Sequence, residues 1–582
     1  MKSYVFGNTV YNLRLSKHLS QKELGNMLGV SDKAVSRWEN GSSQPRATLL
    51  PKLADALGVS LDKLLSGREK ASAVAANPAS GDFSAQQLTD KSASDFIKVN
   101  FIPEKATENG NYLCTWALQQ VAAVQLNIPG NNVPERQRNA LSGQTVFRED
   151  IYHPFSAEYR SGLIFLLDDG WDVPMGTDAS ASRVLFGLCE PDAEKFACLG
   201  NTPEQRLCKL SCRIKEMGYC GLGLWISPQH SGQPKLNSIE DDRAYWEEKA
   251  KLSHSAGVRY WKVDWGRDSA TPGYREMMTE CVRKCAPGLL IEHAYEHGPF
   301  FDSPTGPDHP RTAQMCERFE YSDFFRTYDV MKPFDDISTY CRANALLKKA
   351  DFSRMRCGAK GFVNVESQPL VAVGMGFNLG VMKYSLETVA ALRWQRICPP
   401  FSALQGEYVT SDENVIDSLR FDYEPSWWTD CRWKTFSLTV PMSAARGTKL
   451  PKVKADGLKP IVLACGHPEK DVLAVSTLRR NVDPNKHVIA PADITVYPKT
   501  LKTTVGVFGY YKSLTLEFPV DVPKGVSVWV QCLLDDVAVN VTDSVNICKN
   551  RVTLDGLLLR QWGYKAGEDC TEHEPALIIN IC

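Results

Sequence analysis

The sequence predicts a multidomain chain made of an all-α helix-turn-helix domain, a (β/α)8 TIM barrel and a C-terminal antiparallel β-sandwich. Three observations carry that expectation. Residues 68–97 are rich in Ala, Ser and small polar groups and divide a short helical head from the remainder. Between about 100 and 425, apolar β-prone runs alternate with amphipathic helical stretches, the pattern of repeated βα units. From about 430 onward, short strands such as KTFSLTV, PIVLAC, DVLAVSTL and SLTLEF succeed one another with turn residues between them. The expected divisions are residues 1–67 for the head, 68–97 for a flexible linker, 98–428 for the barrel and 429–582 for the sandwich.

At 582 residues the chain is too long for one ordinary core. Lys and Arg total 67 against 68 Asp and Glu, so the whole chain has no electrostatic bias toward nucleic acid or membrane, and any such bias is local. Apolar residues at 43% and charged residues at 23% exclude a mostly disordered chain. No run approaches the ~18 apolar residues of a membrane span, and the opening MKSYVFGN has no apolar signal core. A cytoplasmic protein with no membrane partner is therefore expected. The 18 cysteines are scattered, and the pairs Cys208/Cys212 and Cys281/Cys285 have CxxxC rather than CxxC spacing, so free thiols are expected and neither a metal nor a cofactor is.

In the head, Ser20-Gln21-Lys22-Glu23 reads as a capping box that opens a short helix ending at Gly29. After a tight turn, Ser31 caps a further helix through Glu39, stopped by Asn40-Gly41. Val35 and Trp38 fall on its buried face, whereas Asp32, Lys33, Ser36 and Arg37 fall on the exposed one, as in a recognition helix that offers polar side chains to base edges. Residues 1–67 carry nine Lys or Arg against five Asp or Glu, so the local positive bias is here. The string LSQKELGNMLGVSDKAVSRWENG, followed by LPKLADALGVSLDKLL, resembles the helix-turn-helix family of Cro and the phage repressors. That resemblance implies DNA as a partner, with Gln21 and Asn40 on phosphates and Asp32, Lys33 and Arg37 facing bases. It also implies a homo-oligomer, a dimer, because operators carry two half-sites.

In the central region, polar residues close successive apolar runs: Trp225 after GLGL, Asp264 in YWKVDWG, Glu296 in LLIEHAYEHG, Asp329 in FFRTYDV and Glu366 in GFVNVES. They are spaced 39, 32, 33 and 37 residues apart, the lengths of single βα units. Trp116 and the Asp168-Asp169-Gly170-Trp171 segment supply two earlier strand ends, and RICPPFSA at 396–403 is the expected eighth strand. Carboxylates and tryptophans on one rim suit a sugar, whose hydroxyls bind carboxylates and whose ring face stacks on indole. Two motifs point elsewhere and are set aside. HAYEH at 293–297 matches HxxEH but follows a strand and runs into Gly298-Pro299, and the glycine-rich 374–380 stretch lacks GxGxxG spacing and is expected to be a barrel loop.

The order DDGW, GLGLW, YWKVD and RTYD resembles the α-galactosidase and α-N-acetylgalactosaminidase clan, glycoside hydrolase families 27 and 36, over residues 110–425. The resemblance implies a retaining α-glycosidase, most simply an α-galactosidase, acting on a carbohydrate substrate. It makes Asp264 the nucleophile on strand four and Asp329 the acid/base on strand six. By the same resemblance Asp168, Asp169 and Lys262 hold sugar hydroxyls, Trp116 and Trp171 form the aromatic floor, and Trp225 lines the same rim. Glu296 reads the 2-substituent, and Arg326 precedes the acid/base. The sequence departs from the family at Trp265-Gly266, where a Cys is usual, at Arg326, which stands three rather than four residues before Asp329, and at Asn364-Val365-Glu366-Ser367 on strand seven. Glu366 is the next candidate for the acid/base. The departures leave open a different sugar specificity (α-N-acetylgalactosaminidase, β-L-arabinopyranosidase or isomaltodextranase) and a second function, a sugar-responsive regulator whose barrel binds ligand without hydrolysis.

Overall fold

A computed structural model describes residues 10, 13–14, 17, 19–39, 45, 49–59, 64, 99–107, 109–179, 183–233, 238–294, 310–327, 336–355, 359–420, 435–483, 486–563 and 576–582. The chain divides into two compact units, residues 1–97 and 98–582.

In the first unit, α1 (Gln21–Leu28), α2 (Asp32–Glu39) and α3 (Leu50–Leu57) pack around Val10, Leu24, Val35, Trp38, Leu53, Leu57 and Leu64. The capping box forms as expected: the Glu23 amide donates to Ser20 Oγ at 3.1 Å and the Ser20 amide to Glu23 Oε2 at 2.6 Å. Gly29, at φ 67°, ends α1 in the left-handed conformation that favours glycine. Gly25 lets α1 approach the turn closely, since a Cβ there would lie 2.8 Å from the Val30 carbonyl oxygen. The Ala34 amide donates to Ser31 Oγ at 3.2 Å, capping α2. Asn40 and the linker lie outside the described residues.

In the second unit, eight parallel strands close a barrel in sequence order: β1 (Tyr112–Cys114), β2 (Ile164–Leu167), β3 (Gly221–Ile226), β4 (Val258–Val263), β5 (Leu290–Ala294), β6 (Phe324–Arg326), β7 (Phe362–Glu366) and β8 (Asn378–Val381). Side chains alternate across each strand. Tyr112, Cys114, Ile164, Leu166, Tyr260 and Phe324 point into the barrel, whereas Leu113, Phe165, Leu224, Trp261, Val263 and Val365 pack outward under the helices. The eighth strand is not the expected 396–403 segment. That segment begins inside the helix Leu386–Ile397, whose last two residues are Arg396 and Ile397, and continues through Pro399-Pro400, neither of which can donate a ladder hydrogen bond. The glycine-rich 374–380 stretch is likewise not a loop throughout, for Gly376 at φ 66° ends the helix Pro369–Met375 and β8 starts at Asn378.

The C-terminal region packs an eight-stranded sheet, which includes Ser443–Arg446, Ile461–Gly466, Val472–Leu478, Thr504–Phe508 and Leu577–Ile581, against a five-stranded sheet that includes Asp493–Val496, Ser513–Glu517 and Arg551–Asp555. Most pairs are antiparallel, but three are parallel, among them Val472–Leu478 with Thr504–Phe508. Tyr408–Thr410 already pairs with Ser443–Arg446 in this region, while the expected 428/429 boundary lies outside the described residues. The central strands of the larger sheet are buried on both faces, so Ile461–Gly466 and Val472–Leu478 are largely apolar: Val462, Leu473 and Val475 face the sandwich interior, and Leu463, Cys465 and Ala474 join the barrel's outer core. The helix Pro369–Met375 seats the barrel on this sheet at Gly374, where an added Cβ would lie 2.2 Å from Ser476 Oγ and 2.7 Å from Leu463 Cβ.

Candidate active site

The C-terminal ends of β1–β8 gather charge inside an apolar wall. Period-two alternation sends Tyr260 and Lys262 of β4 into the barrel, with Asp264 next on that face just past the strand end. The same rule brings in Glu292 from β5, Arg326 from β6, and Asn364 and Glu366 from β7. Cross-strand pairing sets Lys262 beside both Trp225 and Glu292, and Arg326 beside Asn364. Asp168 follows β2 on the same face.

These groups form one network. Lys262 Nζ lies 2.8 Å from Asp168 Oδ2 and 3.3 Å from Glu366 Oε1. The Arg326 guanidinium lies 3.1 Å from Asp264 Oδ1, 3.3 Å from Glu292 Oε1 and 3.2 Å from Glu366 Oε2. The Tyr112 hydroxyl donates to Glu366 Oε1 at 2.5 Å, the Tyr260 hydroxyl to Glu292 Oε2 at 2.7 Å, and Asn364 Nδ2 to Glu292 Oε2 at 2.8 Å. The Cys114 thiol donates to Asp168 Oδ2 at 2.8 Å. Four carboxyl groups thus share two cations.

Asp264 differs from the other three. Its side chain is 13% exposed, against 6% for Asp168 and none for Glu292 and Glu366. Trp225 Nε1 donates to its Oδ2 at 3.0 Å, and its amide is anchored on the Ile226 carbonyl at 3.0 Å. Burial pushes the Asp264 pKa up, but Arg326, then Lys262 and the Trp225 indole, outweigh it and hold the carboxyl below its ordinary value. Glu366 is also held low: burial is overcome by Lys262, Arg326 and Tyr112. Burial wins at Glu292, whose pKa is raised despite Arg326. The mouth therefore presents one ionised, partly open carboxylate above a sealed polar floor.

Several sequence expectations change. Trp171 does not floor a pocket: it is fully buried in the outer core, and its Nε1 donates to the Trp225 carbonyl at 2.8 Å, because the residues after Asp168 turn away from the barrel axis. Trp225 is fully buried too and addresses Asp264 through its N–H instead of offering a face. Trp116 packs half-buried on the interior cluster. Asp169 is held away from the axis by Arg138, with bonds of 2.9 and 2.7 Å. Glu366 has no exposed surface, and Lys262 and Arg326 each lie against one of its oxygens, so it sits in the floor rather than at the open mouth where a proton donor was expected. Glu296 and Asp329 lie outside the described residues.

Sequence reasoning missed Glu292, Tyr112, Tyr260 and Cys114. Glu292 stands in register with Lys262 and is two residues from Leu290, an inward position, but that register is a relationship between strands that the sequence does not display. Sequence reasoning also noted Trp265 only as a departure. Its half-buried ring lies 5.3 Å from Trp225 and 4.9 Å from Phe186, making it the rim indole beside Asp264. His293, from the HAYEH motif, faces outward and is fully buried, with Nε2 2.7 Å from Thr279 Oγ1. No cluster of three metal-ligating side chains occurs among the described residues. No helix among them is long and apolar enough to cross a membrane.

In the first unit Asp32 and Lys33 are exposed, and Gln21 and Ser36 half-exposed, while Val35 and Trp38 are buried; Arg37 lies on α2 with them.

Residues 10–64 match the helix-turn-helix family model. Over this head the chain is similar to the HTH-type transcriptional activator BcrR of Enterococcus faecalis, at 38% identity over 64 residues, and to the SPbeta prophage-derived uncharacterized HTH-type transcriptional regulator YonR of Bacillus subtilis (strain 168), at 36% over 63. Each match covers 11% of this chain, and the chain spans 31% of the first protein and 58% of the second. Over 82% of its length the chain is similar to a solved family 27 β-L-arabinopyranosidase from Geobacillus stearothermophilus, 96% of which is covered, at 10% identity and a TM-score of 0.37. The chain thus joins a helix-turn-helix domain of the kind found in transcription regulators to a closed eight-stranded parallel barrel and a β-rich C-terminal region.

Proposed function

We propose that the barrel is a retaining glycoside hydrolase of α-galactosidase type. The observation that carries the reading is Asp264, the most open of the four interior carboxyl groups, kept ionised at the end of β4 by Arg326 and Trp225. The DDGW, GLGLW, YWKVD and RTYD motifs support it independently. In the first step Asp264 attacks the anomeric carbon while Asp329 gives its proton to the leaving oxygen; in the second Asp329 takes a proton from water, which displaces Asp264 and restores both groups. Asp168, the next most open carboxylate, accepts from a sugar hydroxyl with its charge balanced by Lys262. Glu366 and Glu292 act through Arg326 as positioning residues.

A panel of aryl glycosides (α-galactoside, α-N-acetylgalactosaminide and β-L-arabinopyranoside) tests the reading by release of nitrophenol. Turnover of at least one, lost by about a thousandfold or more in Asp264→Asn, supports it. No turnover on any, or turnover indifferent to that change, rejects it.

For the first unit, the exposure of Asp32 and Lys33 on α2 supports DNA binding through Asp32, Lys33, Ser36 and Arg37, with Gln21 and Asn40 on phosphates, by a dimer. Binding that weakens steeply with salt, and further in Lys33→Ala, is the expected result of a band-shift titration. A second reading, a ligand sensor without hydrolysis, is favoured by this fused head. It is distinguished by DNA affinity that changes with sugar in the absence of turnover.

A further inference from the structure

The rim beside Asp264 carries a cation that neither the fold nor the reaction uses. Arg183, exposed at the start of the 3-10 turn Arg183–Leu185, lays its guanidinium over the Trp265 ring with Cζ 5.8 Å from the ring centre. Among the described residues that guanidinium makes no hydrogen bond or ion pair. A guanidinium held over an indole by a cation–π contact makes no hydrogen bond to the ring's edge and keeps N–H donors that can take a carboxylate or phosphoryl group.

The turn beneath it is fixed. Gln229 Nε2 donates to the Arg183 carbonyl at 2.6 Å and to the Phe186 carbonyl at 3.0 Å, the Gly232 amide to the Val184 carbonyl at 2.9 Å, and Ser231 Oγ to the Leu185 carbonyl at 2.8 Å. Charge is therefore segregated along the site. The interior holds four carboxyl groups against Lys262 and Arg326, whereas at the rim Arg183 shares the Trp265 ring with Arg138, whose charge is already met by Asp169, which leaves Arg183 as the cation there with its charge unmatched among the described residues. An anionic group is repelled from the depth and drawn to the rim, which turns a substrate so that its neutral glycosyl end enters first.

We propose that Arg183 and Trp265 form a leaving-group subsite for glycosides whose aglycone carries an anionic group, a carboxylate or a phosphoryl. The inference rests on the hydrolase reading for its placement on the leaving-group side. Matched nitrophenyl, carboxyphenyl and phosphonophenyl glycosides of the accepted sugar are compared in the full-length protein and in its Arg183→Gln and Arg183→Lys variants. The quantity read is the ratio of kcat/KM for each anionic substrate to that for the neutral one. Arg183→Gln is expected to lower the ratio about tenfold, and Arg183→Lys less, because the charge remains while the fork is lost. Salt is expected to lower the wild-type ratio. The carboxyphenyl and phosphonophenyl arms show which anion is preferred. A ratio unchanged in Arg183→Gln overturns the proposal while leaving hydrolysis intact. Should wild type turn over none of the three, the hydrolase reading fails by itself, and quenching of tryptophan fluorescence reads binding instead. Tighter binding of the anionic glycosides that Arg183→Gln abolishes then upholds an anion subsite, and equal binding removes it.

Discussion

Arg326 Nη2 lies 3.1 Å from Asp264 Oδ1, and the same guanidinium also reaches Glu292 and Glu366 on the neighbouring strands. One side chain thus ties the open carboxylate at the mouth to two sealed ones below it. In low-dielectric surroundings that contact sets the charge on Asp264 more strongly than an exposed ion pair could.

Replacing Arg326 by Gln therefore acts on Asp264 through its pKa. With the guanidinium gone, burial pushes the Asp264 carboxyl up, so the acid limb of the kcat/KM profile is expected to move to higher pH. Arg326→Lys keeps a charge and is expected to move it less. A pH–rate series on the accepted aryl glycoside checks this. Variants that lose rate with an unmoved acid limb would assign Arg326 a purely structural role.

Asp172 offers a stability test. It is buried behind the Asp168-Asp169 turn, with Oδ2 accepting from the Cys189 amide at 3.2 Å and Oδ1 unpaired among the described residues. Burial pushes its pKa up to about 7. The folded chain then keeps this proton to about pH 7, whereas the unfolded chain releases it near the ordinary value of about 3.9. Stability must fall as pH rises through that window and level off above it, because the folded state binds more protons there. Asp172→Asn removes the dependence. Thermal melts between pH 4 and 8 are expected to show the variant gaining on wild type as pH rises, by on the order of 1–4 kcal/mol. Parallel curves would show that Asp172 does not titrate in this way.

Gly374 tests how the barrel is seated on the large sheet. A Cβ would meet Ser476 Oγ and Leu463 Cβ well inside contact distance, so Gly374→Ala is expected to cost about 1–3 kcal/mol in denaturant titration. Ser476→Ala in the same chain is expected to recover part of that cost, since it removes the nearest atom. Full additivity of the two changes would mean the helix and sheet do not meet here.

The βα spacing was legible because an inward carboxylate or indole closes most barrel strands, so Trp225, Asp264 and Glu366 mark β3, β4 and β7. No such marker closes β8. Its inward residues are Asn378 and Gly380, and Gly380 is small because a Cβ there would lie 2.6 Å from the Glu366 side chain and 2.9 Å from the Tyr112 hydroxyl. A strand shaped by its neighbours' bulk carries little pattern of its own. Within the site, Lys262 and Asp264 were legible from alternation along one strand. The distinction between Trp171, buried under the helices, and Trp265, at the rim, was not, because it depends on how the segments after β2 and β4 turn. The role of Glu292 required the register between β4 and β5, a relationship between segments thirty residues apart.

Covalent trapping at Asp264 is the most direct experiment. A fluorinated glycoside with a good leaving group slows breakdown of a glycosyl-enzyme, so incubation followed by peptide mass spectrometry should find one glycosyl unit on the peptide containing Asp264, with matching loss of activity and no adduct in Asp264→Asn. Turnover without any adduct, or an adduct on another carboxylate, would contradict the assignment of Asp264 as nucleophile.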